Sequence, residues 1–215
     1  ARFGISSVIS IVEDELIEQM REFHCRQAGE EYVPIKTGDK DFRARRITAY
    51  LNLLHRIVLR QTEQLRQLPF EPGSEILKYF ELLPDDSPAK RIFTAMMEME
   101  EGNAKKLLQK QLRSFIEAGS IDVNIMSKLD RVNYAKNGEP LPTEYSDGHA
   151  ALRGFANSEL NGAVIFSAGF NPRLYAYLES FPDFLPDNDG AFKKKIILKV
   201  SDYRSALTQG KLLAK

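Results

Sequence analysis

Apolar and polar positions alternate with a period of two in a few short stretches of this chain and recur every three to four residues across most of the rest. The cleanest alternation is Ile121-Asp122-Val123-Asn124-Ile125-Met126. Successive strand side chains point to opposite faces, so this stretch predicts a strand with Ile121, Val123 and Ile125 against helices and Asp122, Asn124 and Met126 on the other face. Residues 3–12 predict a strand or strand plus turn, Ala163-Val164-Ile165-Phe166 a third strand, and Lys195 to Val200 a fourth. In that last run the parity sends Ile196, Leu198 and Val200 one way and Ile197, Lys199 and Ser201 the other. A lysine inside a run that otherwise reads as a buried strand needs a reason to be there.

Helical periodicity fills the gaps. Glu13, Asp14 and Glu15 open a helix that continues through Leu16, Ile17, Met20 and Phe23, and acids at a helix start suit the macrodipole. A long helix is predicted from about Phe42 to Leu68, with Ile47, Tyr50, Leu51, Leu54, Ile57 and Val58 on its apolar face and Pro69 as its stop. Pro72-Gly73 marks a turn, Ser74 is the N-cap of a helix to Leu83, the run Pro84 to Pro88 opens the next helix, and another spans about 103–117. After a polar loop at 133–147 come helices over 149–160, from Pro172 onward, and over 203–215.

Strands that alternate with helices imply parallel pairing and right-handed crossovers. The expected fold class is therefore α/β, with parallel strands and crossover helices, a partial (β/α) barrel interrupted by an all-helical insertion. The expected organisation is a first strand-helix unit at 1–36, the helical insertion at 37–118 and the remaining strand-helix units at 119–215. Four such units are half of what a closed barrel of about 250 residues contains. A fragment of a longer protein is the expectation, with a complete four- or five-stranded open domain under a helical cap as the alternative.

Composition narrows the function classes. Thirty Lys plus Arg balance thirty Asp plus Glu, so no net field draws nucleic acid or an anionic membrane to the protein. One cysteine, Cys25, excludes an internal disulfide, and with three scattered histidines it makes no structural zinc spacing. The N-terminal residues lack the pattern of a signal peptide, and no apolar run approaches a membrane span. The expected setting is cytoplasmic and the expected partner a small-molecule substrate.

The candidate chemistry lies at strand ends. Lys199 and Asp122, inward-facing on different strands of a barrel, are the candidate catalytic pair, because burial and mutual pairing bring lysine and aspartate toward proton transfer near neutrality. A structural ion pair is the alternative. Asn124, Ser167, Gly169 and Arg173 are the candidate cofactor-binding residues, since small residues in a strand-to-helix turn let backbone N–H groups approach an anion. A tight turn capped by Asn171 is the competing interpretation there. Lys193, Lys194 and Lys195 read as a solvated strand entrance, Lys128, Asp130 and Arg131 as a helix surface, and His149, His24, His55 and Cys25 as structural.

Arg2 to Glu15, Ser120 to Arg131, Asn171-Pro172-Arg173-Leu174-Tyr175 and Lys194 to Gly210 resemble a bacterial protein family akin to the flavin-type TIM barrels, similar to the glutamate synthase and nitronate monooxygenase barrels. The likeness covers the whole chain. It implies an FMN-dependent oxidoreductase, with FMN phosphate on late strand-helix loops that a chain ending at Lys215 would lack. Lysine-dependent lyase or aldolase chemistry through Lys199 is the alternative activity. A protein-interaction module built on the helical block is the alternative of a different class.

Overall fold

A computed structural model of the chain describes residues 1–126, 132–135 and 137–213. Lys128, Asp130 and Arg131 lie outside the described residues. The chain divides into two compact units, one made of residues 1–7 and 56–120, the other of 8–55 and 121–215.

In chain order the elements are β1 (Ser7–Ile11), α1 (Asp14–Ala28), α2 (Phe42–Gln67), α3 (Glu75–Glu81), α4 (Pro88–Met97), α5 (Asn103–Ser114), β2 (Ile121–Ile125), α6 (Asp147–Ala156), β3 (Ala163–Phe166), α7 (Pro172–Tyr177), β4 (Lys195–Leu198) and α8 (Tyr203–Leu213). Local chemistry sets many of the boundaries. Gly29 ends α1 in the left-handed conformation that favours glycine. Ser87 accepts from the Lys90 N–H, with Pro88 in the first turn of α4.

The strands form one parallel sheet in the order β1-β2-β3-β4. Val123 pairs with Val164 and Val164 with Ile196, and the Met126 N–H donates to the Ile11 carbonyl between the first two strands. Burial alternates along β1, β2 and β4. Ile121, Val123, Ile125, Val164 and Phe166 belong to the core, whereas the opposite face carries exposed Val8, Ser10, Lys195 and Ile197 and half-buried Asp122, Asn124 and Ile165. The sheet thus has one covered and one open face. Gly162 lies so close to the Ile121 carbonyl that a Cβ there would stand 2.1 Å from the oxygen, which explains a residue without a side chain at the entry to β3.

The unit of residues 1–7 and 56–120 has its own core of Leu65, Ile76, Leu77, Tyr79, Phe80, Phe93, Met96, Leu112 and Ile116. The apolar stripes of α3 and α4 are consumed there, and single exposed residues such as Leu107 are ordinary for a protein surface. An interaction module built on these helices would need a contiguous exposed stripe.

Candidate functional site

Register decides which of the sequence-predicted residues meet. Asn124, Ile165 and Ile197 form one row across the sheet. By the same pairing Asp122 lies level with Ala163 and Lys195, one row toward the amino ends of the strands. The Lys199 N–H donates to the Phe166 carbonyl at 3.0 Å, so the ladder continues past β4 and brings Lys199 level with Ser167. At a rise of about 3.3 Å per residue, Lys199 stands about 13 Å along the strands from the row of Asp122.

The expected pairing of Lys199 with Asp122 in a buried cavity is therefore not what forms. Lys199 is exposed. Asp122 uses Oδ1 to accept the Ala163 N–H at 2.8 Å, fixing the start of β3 at the amino end of the sheet. Parity sets the face that a side chain joins and says nothing of how far along a neighbouring strand it lies. Schiff-base chemistry needs an amine taken out of water, and Lys199 has no such enclosure.

The carboxyl end of the open face keeps three of the predicted residues together. Asn124 donates from Nδ2 to Ser10 Oγ at 3.2 Å, while its Oδ1 is buried with no hydrogen-bond partner among the described residues. A buried acceptor left unpaired costs free energy on the order of 1–3 kcal/mol. Ser167 Oγ lies one row beyond, 3.4 Å from the Ile125 carbonyl, and Lys199 follows on the next strand. Gly169 has φ +98° in open space.

Arg173 is exposed on α7, a helix of 6 residues whose first turn is already capped by Asn171 Oδ1 accepting from the Leu174 N–H at 3.1 Å. FMN would ask for a polar partner to its ring edge and a cradle for its phosphate. Asn124 and Ser167 suit the first and the exposed Lys199 ammonium the second, while the turn from Ser167 to Arg173, already capped by Asn171, adds no further cradle.

At the starts of three helices lies a charge cluster that no sequence motif announced. Arg43, at the start of α2, stands 3.3 Å from both Asp14 and Asp147, the acids in the first turns of α1 and α6. Arg46 reaches Asp14 at 2.7 Å and the Ile35 carbonyl at 2.9 Å. Both Asp14 and Asp147 open helices that follow strands, so these N-termini gather on the carboxyl side, where ligands bind in α/β folds. A cavity of about 440 Å³ opens there, lined among others by Lys40, Asp41, Arg43, Tyr134 and Tyr145. That volume lies within the usual range of small-molecule sites.

Arg153 anchors the cavity wall. It grips Asp41 through Nε at 2.7 Å and through Nη2, and meets the Tyr177 hydroxyl at 3.0 Å. Burial alone would lower the basicity of this guanidinium, but its bonds to Asp41 and Tyr177 outweigh that and raise it. Asp41 sits at φ +52°, a left-handed conformation uncommon outside glycine.

Among the described residues the buried lysine is Lys194. The expectation of a solvated Lys193–Lys195 entrance is corrected at its central residue, which is 0% exposed. Its ammonium donates to the carbonyls of Phe155, Ala156 and Ser158 at 2.9, 2.6 and 2.8 Å and stands 3.4 Å from Asp183. These are end carbonyls of α6 and the residues just after it, which have no partner within the helix. Burial pushes the ammonium below its usual range against the opposing pull of Asp183. With three carbonyls on the ammonium and the residue at the amino end of β4, the role is structural. A single lysine in a basic triplet gives no sequence signal of this.

His149 Nδ1 pairs with Ser146 Oγ at 2.8 Å, and both residues are buried at the start of α6, where they lock the helix entry. No protein family, curated protein or solved structure matches this chain.

Proposed function

We propose that this protein is an enzyme scaffold of partial (β/α) barrel type that binds an anionic small molecule at the carboxyl end of its open sheet face. Lys199 meets the ligand's charge, and Ser167 and the Asn124 amide supply hydrogen bonds. The observation that carries this reading is the buried Oδ1 of Asn124, an acceptor with no hydrogen-bond partner among the described residues, toward the Ser167 and Lys199 end of the sheet. A ligand N–H or O–H there would satisfy it.

A flavin-dependent oxidoreductase is the activity that the family resemblance implies, and FMN is the first ligand to try. Titration of FMN, followed by quenching of flavin fluorescence and by thermal shift, is expected to show saturable binding. The Lys199→Met and Asn124→Leu variants should each bind about tenfold more weakly or worse, as the loss of one charge-assisted or buried hydrogen bond requires. If riboflavin binds as well as FMN, the ligand's anionic group is not what is recognised. If neither binds and simple anionic metabolites also fail, the assignment of this face as a ligand site falls.

A further inference from the structure

We infer that the open sheet face is covered by a second copy of this chain, β4 of each copy pairing in parallel with β1 of the other so that two four-stranded sheets close into an eight-stranded ring. This rests on the partial-barrel reading above and adds what completes it. Parallel sheets are found with both faces covered, yet here Val8 is 60% and Ile197 44% exposed on a face that also holds half-buried Ile165 and the unpaired Asn124 oxygen.

Among the described residues the order β1-β2-β3-β4 leaves β1 and β4 as the two edges, and ring closure removes free edges. Eight strands are the number whose interior side chains fill.

The two flanks of the sheet complement each other. On the β1 side, exposed Val12, Leu16 and Phe23 are accompanied by exposed Glu13 and Glu15. On the β4 side, exposed Phe192, Leu207 and Leu212 are accompanied by exposed Lys195 and Lys199. Opposite charge on the two edges favours joining the β4 edge of one copy to the β1 edge of another and disfavours like edges meeting, which steers association and selects the partner. Repeated twice about a two-fold axis, that contact closes rather than propagates. In the ring, Glu13 after β1 and Lys199 after β4 both lie at the carboxyl end of the joined edges.

Sedimentation equilibrium of the purified chain is expected to give a mass twice the 24.5 kDa of one chain. A monomer throughout the micromolar range overturns the inference and points instead to another polypeptide segment as the cover.

Charge reversal tests the pairing itself. The Lys195→Glu/Lys199→Glu variant and the Glu13→Lys/Glu15→Lys variant should each dimerise about tenfold or more weakly alone, and a mixture of the two should restore a dimer containing one of each. Circular dichroism of each variant alone confirms that these exposed substitutions leave the fold intact. A mixture that stays monomeric, or variants that dimerise as the parent does, refutes the edge assignment. Because FMN binding is read by fluorescence, failure of that ligand and failure of dimerisation are separate results.

Discussion

Arg153 holds Asp41 in a two-armed grip across 112 positions of sequence, and it is this pair that keeps a left-handed backbone residue at the threshold of α2. Without the grip, the local conformational cost at Asp41 has no visible compensation. Arg153→Ala should therefore destabilise the unit of residues 8–55 and 121–215 by about 2–4 kcal/mol, by the measure of broken, largely buried ion pairs. Arg153→Lys should recover only a small part, because an ammonium cannot reproduce the planar fork. Urea denaturation of the three proteins checks both statements, and equal stability of wild type and Arg153→Ala would refute the first.

Lys194 is expected to behave as a structural residue. Lys194→Met takes the ammonium from the carbonyls of Phe155, Ala156 and Ser158, of which Phe155 keeps the Ser158 N–H and hydroxyl, a loss on the order of 2–3 kcal/mol. The midpoint of thermal unfolding should fall accordingly, while ligand affinity per folded molecule stays at the wild-type value. A stable variant with lost binding would instead make Lys194 a functional group.

Glu18 predicts an acid-sensitive region. Burial raises its carboxyl, but the Arg21 fork, the Ile35 N–H and the Tyr32 hydroxyl outweigh burial and hold it below the usual carboxylate value. A carboxyl depressed in the folded state contributes stability that is complete above its ordinary value near 4.5 and is lost as pH falls through the lower folded value. Glu18→Gln should cost about 3 kcal/mol at neutral pH and flatten the acid limb of the stability curve. An acid limb as steep as that of wild type would contradict this.

Asp122 and Lys199 should separate cleanly in mutagenesis. Asp122→Ala removes the acceptor of the Ala163 N–H and should cost about 1–2 kcal/mol of stability, with ligand affinity little changed. Lys199→Met, at an exposed position, should leave the stability of the single chain within about 0.5 kcal/mol of wild type while weakening ligand binding. Parallel chemical denaturation and ligand titration distinguish this from the expected catalytic pair, for which both substitutions would abolish function together.

The elements of this fold were legible in the chain because each rests on local periodicity and punctuation. The alternation at 121–126, the long apolar stripe from Phe42, the proline stop at 69 and the Asn171 cap each depend on neighbours within a few residues, and each reappears as β2, α2, its end and the start of α7. The candidate site was legible only in part. Alternation put Asn124 and Lys199 on one face, whereas their place at its carboxyl end and the company of Ser167 come from the pairing register.

What remained for tertiary structure was distance along and between strands. Period two determines which face a side chain joins, whereas only the pairing register determines its neighbour, and that register separates Lys199 from Asp122. Packing also chose the buried lysine. Lys194 and its neighbours are alike as a basic triplet, and burial follows from the end of α6 presenting three carbonyls to one of them. The same holds for Arg153 and Asp41 and for Arg43 with Asp14 and Asp147, whose partners are brought together by helices starting on one side of the sheet. Local sequence thus specified the elements and their faces, because those depend on near neighbours. Tertiary structure decided which charges meet, because that depends on how separate elements pack.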